Sequence, residues 1–154
     1  MKKSIALFLF FTLICHLSSC VFGQDPVLRS LGAYDSKQCY EEGWRDYTDY
    51  HKYYYTNAQI SDNPYLQQIS EKDISELNEL LDNFESMIEL HREFDPTKEI
   101  VVHYDFNREI IDSEDYLYTE VEQHSFEGHT IFDSYDVYFF DTQSNVLYYF
   151  HNNN

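Results

Sequence analysis

Hydrophobic positions along this chain change their period twice, and each change predicts an element. From Glu71 to Phe94 the apolar residues Ile74, Leu77, Leu81, Phe84 and Ile88 recur at three- and four-residue steps, with Leu80 and Met87 widening the stripe. This is one amphipathic helix. Ser70 stands at its N-cap, with Asp73 in the capping-box position, and Ile69 and Ile74 are spaced as a hydrophobic staple. Asp95-Pro96 ends it. After Pro96 the period falls to two, predicting strands over residues 100–106, 116–121, 135–140 and 146–151. The last two flank Asp141-Thr142-Gln143-Ser144-Asn145, a loop of hairpin length. Earlier, Tyr40, Trp44, Tyr47, Tyr50 and Tyr54 recur at steps of three and four, which predicts a Tyr-rich N-terminal helix. The expected fold is therefore α+β: one long amphipathic helix packed on a four-stranded antiparallel meander, with the Tyr-rich helix in front.

The first residues follow a different grammar. Met1-Lys2-Lys3 is a short positive stretch and residues 5–14 are an apolar run, after which His16 and Ser18-Ser19 intervene. These are the regions of an export signal, and the run is too short for a membrane-spanning helix, which needs about 20 apolar residues. Leu17-Ser18-Ser19-Cys20 resembles the bacterial lipobox, in which a leucine and two small residues precede a cysteine that is lipidated and becomes the new N-terminus. The resemblance implies lipidation at Cys20 and attachment to a membrane. Cleavage after Gly23, before Gln24, is the competing reading and would release a soluble chain. The lipobox is favoured. The expected organisation is a signal at 1–19, a tether at 20–36 and one domain at 37–154.

Composition narrows the partners. The chain has 10 Lys and Arg against 28 Asp and Glu. Lys2 and Lys3 leave with the signal, so 8 basic and 28 acidic residues remain, a net charge of −20. Such a field repels phosphate backbones, which excludes nucleic acid, and favours a basic protein partner or simple solubility. Fifteen tyrosines and twelve phenylalanines argue against disorder. Of three cysteines, Cys15 is lost with the signal and Cys20 is lipidated or lost, so Cys39 is left without an intrachain partner.

Candidate chemistry is sparse. No nucleophile elbow, phosphate-binding glycine loop, zinc-protease motif or EF-hand loop occurs, and nothing calls for a cofactor. His124 and His129 bracket Glu127-Gly128 and are the candidates for a metal site, against an exposed turn as the bland alternative. His103 and Asp105 would share one strand face as an orienting pair, or merely as its solvated side. Glu79, Asp82, Glu85 and Glu89 form an acidic row on the outer face of the long helix. Tyr40, Trp44, Tyr47, Tyr50 and Tyr54 are either core or a surface for sugars or a protein.

The segments Asp46-Tyr47-Thr48-Asp49-Tyr50, Phe84-Glu85-Ser86, Asp136-Val137-Tyr138-Phe139-Phe140-Asp141 and Leu147-Tyr148-Tyr149-Phe150-His151-Asn152-Asn153 resemble stretches of uncharacterised exported proteins of Gram-positive bacteria. That resemblance implies export and a single domain, and it transfers no site residue. The expected function is a non-enzymatic, lipid-anchored, acidic interaction module. The alternative is a small exported hydrolase or carbohydrate-binding domain, whose mark would be two carboxyls about 5–9 Å apart beside an exposed aromatic.

Overall fold

The computed structural model describes residues 25–43 and 47–153. The expected export signal at 1–19, the expected lipidation site Cys20 and Trp44 lie outside the described residues. The elements in order are α1 (Pro26–Ser30), β1 (Ser36–Glu42), β2 (Tyr47–Tyr54), β3 (Gln67–Gln68), α2 (Glu71–Phe94), α3 (Glu99–His103), a 3-10 turn (Arg108–Ile110), β4 (Tyr116–Phe126), β5 (His129–Asp141) and β6 (Val146–Asn153). The strands form one sheet in the order β1-β2-β6-β5-β4-β3, every neighbouring pair antiparallel. No helix among the described residues is long and apolar enough to cross a membrane.

The long helix spans the residues its periodicity predicts. Ser70 Oγ accepts from the Asp73 backbone N–H, and the Asp73 carboxylate accepts from the Ser70 N–H, closing a capping box. Leu77, Leu80, Leu81, Phe84 and Ile88 are buried against Tyr50, Tyr135, Val137, Phe139 and Phe150 of the sheet. Each such side chain contributes about 1.5–3 kcal/mol by leaving water.

The strands expected over 116–121, 135–140 and 146–151 fall within β4, β5 and β6, but the rest of the expected architecture differs. The sheet has six strands rather than four. The Tyr-rich N-terminal helix is instead the β1–β2 hairpin, with Tyr40 paired to Tyr50 and Glu42 to Thr48. Its sequence misleads because β2 is covered on both faces. Thr48, Tyr50, His51, Lys52 and Tyr53 are all buried, so the polar/apolar alternation that marks a half-solvated strand is absent. Gly43, at φ +108°, lies between the two strands. Residues 100–103, expected to begin a strand over 100–106, instead belong to α3, which buries the adjacent residues Ile100 and Val101 together and leaves Val102 in water. A strand with one covered face cannot bury consecutive positions. Residues 26–36, expected as tether, are part of the fold: Val27 and Leu31 are buried with Tyr53, Tyr55, Leu66, Tyr138, Phe140 and Leu147 on the sheet face opposite α2.

That second face is closed by side-chain hydrogen bonds. Asp25 caps α1 through Oδ1, which accepts from the N–H groups of Val27 at 2.7 Å and Leu28 at 3.3 Å, while Oδ2 accepts from the Tyr138 hydroxyl. Asn63 accepts from the Tyr65 and Leu66 N–H groups and donates to Ser30 Oγ, tying the 56–66 loop to α1.

Candidate functional site

The α1 face of the sheet is graded, and strand register explains how. Side chains two residues apart on a strand share a face, and antiparallel partners stand side by side across it. Beneath α1 the row is Tyr53, Leu147, Phe140 and Tyr116. The next row, read across five strands, is Cys39, His51, Tyr149, Tyr138 and Tyr118. The row after that is Glu41, Asp49, His151, Asp136 and Glu120. The face thus passes from apolar to aromatic to a line of four carboxylates centred on a histidine.

Alpha-1 covers the first of these rows and reaches Tyr138 of the second, which is buried with Val27 and Leu31. Between it and the sheet lies a cavity of about 590 Å³, within the roughly 300–1,000 Å³ range of small-molecule sites. Tyr34, Tyr53, Tyr138 and Tyr149 supply its aromatic surface; Asp25, Arg29, Lys37, Asp49 and His51 supply its polar groups. The rings are in mutual contact, Tyr138 to Tyr149 at 4.8 Å between centroids and Tyr34 to Tyr53 at 5.2 Å. Tyr47, 38 % exposed, stacks on His151 at 4.8 Å and extends this floor to the sheet end.

The charges around the floor are held in opposite senses. Burial pushes the Asp49 carboxyl up to about 6, only partly offset by His151. Asp136 is desolvated too, yet hydrogen bonds from His151 Nδ1 at 2.8 Å and the Tyr149 hydroxyl at 2.6 Å hold it below the usual carboxylate value. Both carboxylates are cross-strand neighbours of His151, one on each side. Burial lowers His51 to about 4, so this imidazole is neutral at pH 7. Its Nδ1 lies 3.1 Å from the Tyr53 hydroxyl, and the Nε2 atoms of His51 and His151 are buried without a hydrogen-bond partner. Among the described residues, the two basic side chains that make no ion pair with a carboxylate, Arg29 and Lys37, both line this cavity.

The residues singled out by sequence are scattered by the fold. Tyr50 is core and Tyr40 stacks on it at 6.3 Å, both on the α2 face. Tyr54 donates to Gln38 Oε1 at 3.0 Å on the β1–β2 hairpin. Tyr47 alone of the described group stands on the open face. His103 stacks on Tyr40 at 4.6 Å, while Asp105 accepts from Lys52 Nζ at 2.7 Å and the Tyr50 hydroxyl at 2.8 Å, so each serves a different contact. In the acidic helix row, Arg108 bridges Asp82 and Glu85 at 2.7 Å each and Arg92 pairs with Glu89. Only Glu79 of that row lacks an ion pair among the described residues.

His124 and His129 lie on the β4–β5 arm, where His124 Nδ1 pairs with Asp133 at 2.8 Å. No three His, Cys, Asp or Glu side chains among the described residues are grouped so as to hold a metal. Glu127 and Gly128 form the arm's two-residue turn, both at positive φ, +51° and +83°. Sequence reasoning missed Asp49, His51, Asp136, Tyr149 and His151. The one visible signal was the repeated alternation Asp49-x-His51 and Tyr149-x-His151, which acquires meaning only once β2 and β6 are paired. Comparison with known proteins finds no matching family model, no matching curated protein and no matching solved structure.

Proposed function

We propose that this chain is an exported, lipid-tethered, non-enzymatic binding domain whose concave α1 face takes a neutral carbohydrate. The observation that carries the reading is the tyrosine-floored cavity of about 590 Å³ with acceptors and donors on its walls, Asp49 on one side and Arg29 and Lys37 on another. A sugar ring presents an apolar face that suits Tyr34 and Tyr149, and hydroxyls that both donate and accept. A simple anion would suit the two cations but not the carboxylate row beside them. Export and the anchor are supported by the lipobox resemblance at Leu17-Ser18-Ser19-Cys20.

Calorimetric titration with maltose, cellobiose and N,N′-diacetylchitobiose at millimolar concentration tests the binding. At least one is expected to bind, with Asp49→Asn and Tyr149→Ala each weakening it about tenfold, the size of one lost charged hydrogen bond or stacking contact. No heat with any neutral saccharide, or equal binding by both variants, overturns the reading. Intact mass spectrometry of the membrane fraction tests the anchor: an acylated chain beginning at Cys20 is expected, and a free chain beginning at Gln24 refutes it.

A further inference from the structure

The β4–β5 arm is built differently from the rest of the sheet. Pairing of β5 with β6 ends at Ser134 and Asn153, and pairing of β4 with β3 ends at Leu117 and Gln67. Beyond these points the two strands run on as a ribbon to the turn at Glu127-Gly128, with every residue from Thr119 to Ile131 exposed. From Tyr118 to Phe126 the outer edge of β4 has no partner strand among the described residues, a length of about 30 Å at strand rise. Open edges of this length are pairing sites unless they are protected.

Three features describe what fits there. First, no Lys or Arg occurs after Arg108, whereas Glu120, Glu122, Glu127 and Asp133 lie on the arm. Of these, Asp133 alone has a basic side chain beside it among the described residues, His124 at 2.8 Å. Second, apolar side chains stand in water along the ribbon: Phe126 is 61 % exposed, Ile131 40 % and Val121 36 %. Third, Val121 and Phe132 join Leu80 of α2 as the apolar floor of a cavity of about 280 Å³ between helix and arm, with Glu76 and Glu79 on its rim. Glu120 and Glu122 point to the opposite face of β4 by the alternation of the strand. A strand added to this edge would therefore meet carboxylates on both of its faces and apolar surface between them.

We infer that the outer edge of β4 pairs with an extended basic segment of another protein, one that alternates Lys or Arg with aliphatic residues. Main-chain hydrogen bonds to Tyr118–Phe126 supply the strand addition, and the carboxylates select the cationic side chains. A second copy of this chain is disfavoured, since its own β4 would set Glu120 and Glu122 against like charges. This inference does not depend on the carbohydrate reading, because the arm and the tyrosine-floored cavity share no lining residue.

The test uses a synthetic decapeptide, acetyl-(Lys-Val)5-amide, titrated into the full mature protein. Binding is expected at 50 mM salt and is expected to weaken at least tenfold at 500 mM, with slowed hydrogen exchange confined to amides of Tyr118–Phe126. The same peptide with alternate backbone nitrogens methylated keeps its charge but cannot extend the sheet, and is expected not to bind. The double variant Glu120→Gln, Glu122→Gln, checked for an unchanged thermal transition, is expected to lose about tenfold in affinity. Equal binding of the methylated peptide, equal binding of a Glu-Val peptide, or sedimentation of the protein alone as an arm-mediated dimer would each overturn the inference.

Discussion

The two faces of the sheet are made by the same strands and finished in opposite ways. One face lies under the 24-residue helix α2, whose Leu77, Leu81, Phe84 and Ile88 seal it with aliphatic and aromatic side chains. The other lies under the five-residue helix α1, which covers the first row and Tyr138 and leaves Tyr149, Asp49 and Asp136 half-buried at the cavity side. On the α2 side, buried polar groups are tied off by neighbours, as Lys52 and Tyr50 are by Asp105. On the α1 side, His151 Nε2 and the Tyr55 hydroxyl are buried without a hydrogen-bond partner, and His51 Nε2 has only the Glu41 carboxylate at 3.6 Å. Buried polar groups without hydrogen-bond partners cost stability, so the α1 face is the less completely satisfied of the two.

The contrast can be broken from its stronger side first. Phe84→Ala removes the largest buried helix side chain and is expected to cost about 3–5 kcal/mol, read as a lower urea midpoint at unchanged slope. Leu31→Ala asks whether the α1 face is core at all. As Leu31 is fully buried, a loss of about 2–4 kcal/mol is expected, and a change near zero would mean that α1 does not dock stably.

The pH response sharpens the difference between the faces. Asp49, with its value raised to about 6, favours the folded state when protonated, so its contribution is lost as pH rises from about 4 to 6. His51, lowered to about 4, acts in the reverse sense: its contribution is complete above pH 6.5 and is lost as pH falls toward 4. In the wild-type chain the two slopes oppose each other over the same interval. Asp49→Asn should expose the histidine slope, with stability falling on acidification, and His51→Gln should expose the opposite one. Denaturant titrations at pH 4, 5, 6 and 7 read both, and parallel profiles for the two variants would contradict the assignment. The smallest expected effect is Ser70→Ala at the capping box, about 1 kcal/mol, together with loss of amide protection in the first turn of α2.

These faces also account for what the sequence makes legible. Helix α2 could be read to its ends because it is covered on one side only, and one-sided burial writes a clean period. Strand β2 is covered on both sides, so its buried residues Tyr50, His51, Lys52 and Tyr53 show no alternation, and the chance spacing of Tyr40, Trp44, Tyr47, Tyr50 and Tyr54 imitates a helix. The short Ile100-Val101-Val102 run is apolar in either conformation, and only packing against α2 decides for α3. The site was hidden for a further reason. Asp49 and His151 are 102 positions apart in the chain and meet because β6 inserts between β2 and β5, a pairing that no local pattern encodes.

The hydrogen bond from Tyr138 to Asp25 fastens the start of the described chain to the rim of the cavity. With Cys20 acylated, as proposed, the five residue-to-residue steps from Cys20 to Asp25 could reach at most about 18 Å even when fully extended. The α1 face would then be moored beside the lipid headgroups, and any ligand it took would be met first on the same envelope rather than diffusing past it.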